Sequence, residues 1–198
     1  MTEIALFPLS TVLLPFGSMP LQIFEQRYLD LVADCMRSGE GFGVVLLRSG
    51  SEVSRGVDAV PNMAEIGAYA RIVDFDQLPN GLLGITIKGE QAFSVSRSWR
   101  EPNGLVKAEV ELGGIPAAAP MTTQWQNLVD VLKGLEGHPY VQRMGLSPDY
   151  DNLWEVAFVL VQLLPLDESI KLALLASPSL EDLLSQLDQL LNQISGED

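Results

Sequence analysis

The chain has 198 residues, with 12 Lys+Arg against 26 Asp+Glu, one His and one Cys, and a net charge of −14. Apolar residues at 47% and charged residues at 19% are ordinary globular values, so disorder is excluded as the main state, and the length allows one or two domains with a real core. The single Cys35 excludes an intramolecular disulfide and a thiolate zinc site, and the single His138 excludes a His-based metal cluster, so neither metal nor cofactor is expected.

Phosphate backbones are repelled by so acidic a surface, and no basic patch offsets it, so nucleic acid is not an expected partner. Residues 1–113 carry 9 basic and 14 acidic side chains, whereas residues 114–198 carry 3 and 12, which concentrates the acid in the second part. Met1-Thr2-Glu3 lacks a basic n-region, and Pro8 and Pro15 break the apolar stretch behind it, so no targeting segment is expected. The longest apolar run, Leu153 to Leu164, is interrupted by Glu155 and Gln162 and is too short to span a bilayer. A cytoplasmic protein with no membrane partner follows.

In chain order, Ile4 to Leu9 and Pro20 to Phe24 read as short strands around the loop Pro15-Phe16-Gly17-Ser18. Tyr28, Leu31, Val32, Cys35 and Met36 share one face of a helix that Gly39 closes. Phe42 to Leu47 reads as a buried strand, and Ser49 to Asn62 as a polar loop. Ile66 to Phe75, Leu83 to Val95 and Leu105 to Leu112 are strand signals, separated by Pro79-Asn80-Gly81 and Pro102-Asn103-Gly104. Asn-Gly between such runs marks a hairpin, so two in succession predict an antiparallel meander, with a bulge at Gly89.

Gly113-Gly114 begins a connector, and helical periodicity takes over. Met121, Trp125, Leu128, Val129, Leu132 and Leu135 form one helical face. Pro148 is expected to open an almost wholly apolar helix that Pro165 ends. A short helix capped by Asp167 runs to Ala176, and Ser179 with Asp182 resembles a capping box before a last stripe from Leu180 to Ile194. The predicted division is 1–113, a β-rich unit with one helix, and 114–198, a helical bundle; the fold class is α+β.

Catalytic patterns are lacking. There is no phosphate-binding G-x-x-x-x-G-K-[ST], and Gly39, Gly41 and Gly43 precede a strand, where a phosphate loop must precede a helix. No G-x-S-x-G elbow is present. Cys35 and His138 could form a dyad, but Cys35 lies on an apolar helical face, where a core thiol is the simpler reading. Asp149-Tyr150-Asp151 lacks the other ligands of a calcium loop. Glu25, Arg27 and Tyr28 stand where a strand hands over to a helix. There the acid can satisfy free N–H groups and the Arg can bridge to a carboxylate, a structural role.

Phe7-Pro8-Leu9-Ser10, Val12-Leu13-Leu14-Pro15-Phe16-Gly17 and Met19-Pro20-Leu21-Gln22-Ile23-Phe24-Glu25-Gln26-Arg27-Tyr28 together resemble the opening of the Lon N-terminal substrate-binding domain. Glu65 to Ile72 is similar to that family's next signature strand. Gly89-Glu90-Gln91-Ala92-Phe93 is similar to its following turn, with Ala92 in place of the usual Arg. Leu164-Pro165-Leu166 through Leu183 resembles its helical end, with Ala176 and Asp182 where Glu and Arg are common. The resemblance covers essentially the whole chain. It implies a PUA-like pseudo-barrel of mostly antiparallel strands followed by a helical bundle. Such domains stand at the front of ATP-dependent Lon proteases, in cereblon, and as free-standing bacterial proteins. In the proteases they help select substrates and assemble the ring. These 198 residues hold no ATPase or Ser–Lys protease module, so the resemblance implies recognition without an engine.

The expected function is therefore non-enzymatic recognition of unfolded or apolar polypeptide segments, with Phe16, Met19, Met63 and Trp99 as candidate contacts and weak homo-oligomerisation left open. The alternative is a small hydrolase or ligand-modifying enzyme, which requires a deep pocket holding His138 or a strongly perturbed acid. A third reading is an assembly protein that mainly self-associates.

Overall fold

The computed structural model describes residues 1–48, 60–143 and 146–195. Most of the expected loop Ser49 to Asn62 lies outside the described residues. Strands come first: β1 (Thr2–Leu9), β2 (Ser18–Ile23), β3 (Phe42–Leu47), β4 (Met63–Gln77), β5 (Leu83–Arg100) and β6 (Val106–Leu112), with α1 (Gln26–Ser38) between β2 and β3. Helices α2 (Gln126–Glu136), α3 (Pro139–Arg143), α4 (Leu153–Leu163), α5 (Glu168–Leu175) and α6 (Leu180–Ser195) follow. The fold is α+β, as the composition of turns and periodicities predicts.

The sheet runs β2-β5-β4-β3-β1-β6, and β5 also pairs with β6. Strands β5, β4, β3, β1 and β6 thus close a ring. Only β1 and β3 are parallel; the other ladders are antiparallel. The length of β5 makes this possible. Its Leu83–Lys88 half pairs with β2, and its Phe93–Arg100 half pairs with β6. The meander β4–β5–β6 turns at Gly81 (φ 81°) and Gly104 (φ 85°), left-handed positions that glycine occupies without steric cost. The register on β4 shifts opposite Gly89–Gln91, a bulge at the expected place.

Gly89 has a second reason to be glycine. Phe16 N donates to Gly89 O at 2.8 Å, and Gly89 N donates to Gly17 O at 2.9 Å. A Cβ there would meet the Leu14 carbonyl oxygen at 2.2 Å. The loop between β1 and β2 is therefore laid directly on β5.

α1 seats Tyr28, Leu31, Val32 and Cys35 in a core with Phe7, Met19, Ile23, Phe42 and Ile87. Met36 departs from the expected face and is 50% exposed. Eight residues beyond Tyr28, the helix has rotated about 80° past two whole turns, which carries that side chain off the barrel. A second core lies inside the ring, around Leu6, Val45, Phe93, Ala108 and Val110. The largest core gathers α2, α4, α5 and α6, and it includes Val12 and Leu14 from the β1–β2 loop. Gln162 ties that loop down: its side-chain oxygen accepts from Leu14 N at 3.0 Å, and its amide donates to Val12 O at 3.2 Å.

Three helix starts differ from expectation, α5 among them: Asp167 holds its N-cap position but makes no side-chain capping bond. α4 begins at Leu153, not Pro148, because Asn152 caps it, accepting from Trp154 N at 3.3 Å and Ala119 N at 3.2 Å. Asp149 meanwhile accepts from Asp151 N at 3.0 Å, a local turn that competes with helix. Before α6, Ser179 Oγ accepts from Asp182 N at 3.2 Å, but the Asp182 carboxylate accepts from the Ser179 hydroxyl. A capping box needs the longer Glu or Gln side chain to reach the N-cap N–H.

Candidate functional site

An open cavity of about 560 Å³ lies between the ends of β1 and β2. β1 pairs with β6 only through Thr2–Leu6, so Phe7–Leu9 run on beyond that ladder. Among the described residues, β2 pairs with β5 on one edge and with no strand on the other. The ring thus has a slot in its wall. Phe7, Leu9, Leu21, Phe24 and Leu47 supply apolar surface, and Phe24 is 69% exposed. Arg27, Tyr28 and Arg100 supply polar atoms.

The polar end is built from the first turn of α1. Glu25 occupies the N-cap position, with φ −83° and ψ 135°, yet its side chain makes no capping bond. It pairs instead with Arg27 Nη2 at 2.7 Å. Arg27 Nη1 donates to the Gly104 carbonyl at 2.8 Å, and the guanidinium lies 4.8 Å from the Tyr28 ring centroid. Tyr28 stacks on Phe7 at 3.9 Å with an interplanar angle of 15°. Glu25, Arg27 and Tyr28 therefore lock the start of α1 to the β5–β6 turn and to β1. Burial raises the Tyr28 hydroxyl above its usual value; Arg27 opposes this, Glu25 reinforces it, and Arg100 opposes it more weakly. Arg100, at the end of β5, lines the same cavity.

Arg27 Nε and Arg100 Nε are both buried without a hydrogen-bond partner. Among the described residues Glu25 is the only carboxylate lining the cavity, and it is committed to Arg27. Arg100 has no carboxylate partner among the described residues. Sequence reasoning singled out Arg27 as structural and passed over Arg100 and Phe24. The hairpin at Asn103-Gly104 places Arg100 at the end of β5, but only the tertiary fold shows what it faces.

The four candidate contacts do not converge. Met19 is 9% exposed in the barrel core beside α1. Phe16, at φ 63°, packs partly against the helical core and borders a separate cavity of about 380 Å³ with Val159 and Lys88. Met63 is half-buried at the start of β4, opposite Leu47. Trp99 is half-buried, its Nε1 donating to Glu101 at 2.9 Å, with Arg97 5.9 Å from its ring centroid. None of the four lines the slot.

Cys35 is buried on α1, where burial, with Asp34 and Glu40 adding to it, pushes its thiol up to about 11. Such a thiol stays protonated and poorly nucleophilic. His138 belongs to the turn between α2 and α3. No group of three or more His, Cys, Asp or Glu among the described residues is arranged to hold a metal ion. No described helix is long and apolar enough to cross a membrane.

The chain is similar to a Lon N-terminal domain protein from Xanthomonas campestris at 37% identity. That match covers 94% of this chain and 97% of the other, with a TM-score of 0.74. The N-terminal domain of a Mycobacterium avium complex Lon protease shares the fold, with a TM-score of 0.62 at 15% identity over 94% of this chain and 96% of that one. No curated protein matches. The family model for the ATP-dependent protease La (LON) substrate-binding domain matches residues 3–193. With a matched span that runs from β1 into α6, the chain belongs to the family of LON substrate-binding domains.

Proposed function

We propose that this chain recognises polypeptide substrates and performs no chemistry on them. Extended apolar segments enter the slot between β1 and β2. The observation that carries this reading is the outer edge of β2, which no described strand pairs, beside an apolar wall. An edge strand offers unpaired N–H and C=O groups to an added strand, while the wall takes alternate side chains. Family membership supports the substrate-binding part. In this reading the slot takes the place of Phe16, Met19, Met63 and Trp99 as the contact surface, because Met19 is buried and the other three lie away from the slot. The non-enzymatic reading is supported by the character of the polar groups here. Two arginines, an ion-paired Glu25 and a Tyr whose pKa is raised offer no nucleophile or base ready near neutral pH.

The test is a titration of fluorescein-labelled, permanently unfolded casein into the protein and into Phe24→Ser. Phe24 is exposed, so its loss should leave the thermal midpoint within about 1–2 °C of the parent, while affinity falls about fivefold or more. Equal affinity in the two proteins would place the contact elsewhere.

A further inference from the structure

We infer that the slot reads a carboxylate, and specifically the C-terminal carboxylate of a polypeptide whose last residues are apolar. The inference rests on the slot being the substrate site, and it names which part of the substrate is held there.

The chain is strongly acidic overall, and its cations are scarce. In such a protein an arginine facing a cavity would ordinarily find one of the abundant carboxylates. Arg100 has not: its Nε is buried and unpartnered, and no described acid pairs with it. Arg27 adds a second buried Nε–H without an acceptor on the same cavity. With these Nε atoms closed off and Arg27 committed to Glu25 and Gly104, the Arg100 guanidinium, which no described carboxylate pairs, is the group an arriving carboxylate can engage through charge-assisted hydrogen bonds. The first turn of α1 lies alongside, and Glu25 leaves its N–H groups uncapped by side chain, so the helix dipole favours negative charge in the same place.

The surroundings distinguish a chain terminus from an acidic side chain. Phe7, Leu9, Leu21, Phe24 and Leu47 surround the polar end with hydrocarbon. A terminal carboxylate carries its charge on the backbone, which frees the last side chains to be apolar. An internal Asp or Glu spends on the guanidinium a side chain that those walls would otherwise bury. A terminus also lets a strand added at the β2 edge stop where the two arginines stand.

The experiment uses three N-acetylated hexapeptides of one apolar sequence ending in Val-Leu. One has a free C-terminal carboxylate, one a C-terminal amide, and one an amide with a Glu in place of the residue before Val. Binding to the intact protein is read by calorimetry or fluorescence anisotropy. The free acid should bind at least tenfold more tightly than the amide, with the Glu peptide closer to the amide. Arg100→Gln should bring acid and amide to the same affinity, while Arg100→Lys, which keeps the charge and loses the planar fork, should retain part of the preference. Thermal midpoints of both variants establish that they are folded.

Acid and amide binding equally, or a preference that survives Arg100→Gln, would overturn the carboxylate inference. If both peptides bind equally and Phe24→Ser weakens both, the slot stands and only the terminus reading falls. If the Glu peptide matches the free acid, the slot reads any carboxylate and the terminus assignment is wrong. If no peptide binds at millimolar concentration, or if Phe24→Ser changes nothing, the slot itself is not the site.

Discussion

Besides Gln162 and the Gly89 contacts, one carboxylate holds the loop that delivers β2 to the slot, and its removal can be sized from the structure. Glu168 opens α5, and its Oε2 accepts from Val12 N at 2.6 Å and from Thr11 Oγ1 at 3.1 Å. Its Oε1 faces Lys171 Nζ at 3.3 Å. Val12 is 3% exposed, so Glu168→Ala leaves a buried amide without an acceptor, at about 1–3 kcal/mol. Lys171 also loses its carboxylate. The Glu168 side chain is 30% exposed and the lysine stem can reach toward water, so about 1 kcal/mol is appropriate there, not the 3–5 of a fully buried pair. The expected loss is about 3 kcal/mol, or about 6–12 °C in thermal midpoint for a chain of this length. Urea unfolding should show a lower midpoint with an unchanged slope. Glu168→Gln keeps an acceptor for Val12 and should cost about 1 kcal/mol, from the charge alone. Lys171→Met added to Glu168→Ala should recover part of the loss. A Glu168→Ala loss below about 1 kcal/mol, or equal losses for Ala and Gln, would show that the Val12 amide is satisfied in another way and that the loop is not held by α5.

Met19→Ser should destabilise by about 2–4 kcal/mol in urea unfolding, because Met19 fills the core beside α1; an unchanged midpoint would return it to the surface. Gly89→Ala should cost about 3 kcal/mol, since the new Cβ strikes the Leu14 carbonyl and lifts the Phe16–Gly89 and Gly89–Gly17 hydrogen bonds; a neutral substitution would mean that the loop does not lie on β5. The Cys35 thiol ionises near its ordinary value when unfolded but near 11 when folded, so the native state holds the extra proton at alkaline pH. Stability should therefore be unaffected below about pH 8.5 and should fall by on the order of 2–3 kcal/mol as pH rises toward 11. Cys35→Ala should lack that part of the decline, and thiol labelling at pH 8 should be slow in the native protein; rapid labelling would place the thiol on the surface.

Elements whose signals are local were legible in the sequence. Asn80-Gly81 and Asn103-Gly104 specify positive φ at a fixed place between two β-rich runs, and both hairpins form there. α1 was legible because its apolar spacing and its closing Gly39, at φ 73°, agree. The start of α4 was not, because proline at a first turn is permissive without being obligatory. Asn152, bonded at once to Trp154 N and Ala119 N, wins the cap through a contact 33 residues away. The C-terminal end of β5 was underestimated, at Val95 instead of Arg100, because a strand shared between two partners has no single alternation pattern. One of its halves answers to β2 and the other to β6.

The slot was illegible for a related reason. Its walls come from residues 7–9, 21–25, 27, 28, 47, 61, 100 and 106, segments far apart in the sequence. An arginine becomes informative only when its neighbours are known: Arg71 is held by Glu90 at 2.8 Å and Arg37 by Asp34 at 3.1 Å, whereas Arg100 has no such partner among the described residues. Composition counts all of these alike. The same charge balance then bears on selectivity. At physiological salt, fields from exposed charges fade over about 8 Å, so the acidic exterior repels a polyacidic segment along its length while leaving a single carboxylate in the slot under the influence of Arg100. An apolar segment with one terminal charge avoids most of that repulsion and places its charge beside the Arg100 guanidinium. The acidity of the chain and the Arg100 guanidinium, which no described carboxylate pairs, thus work in the same direction: the surface discourages acidic polypeptides in general, and the slot admits a carboxylate only at the end of an apolar one.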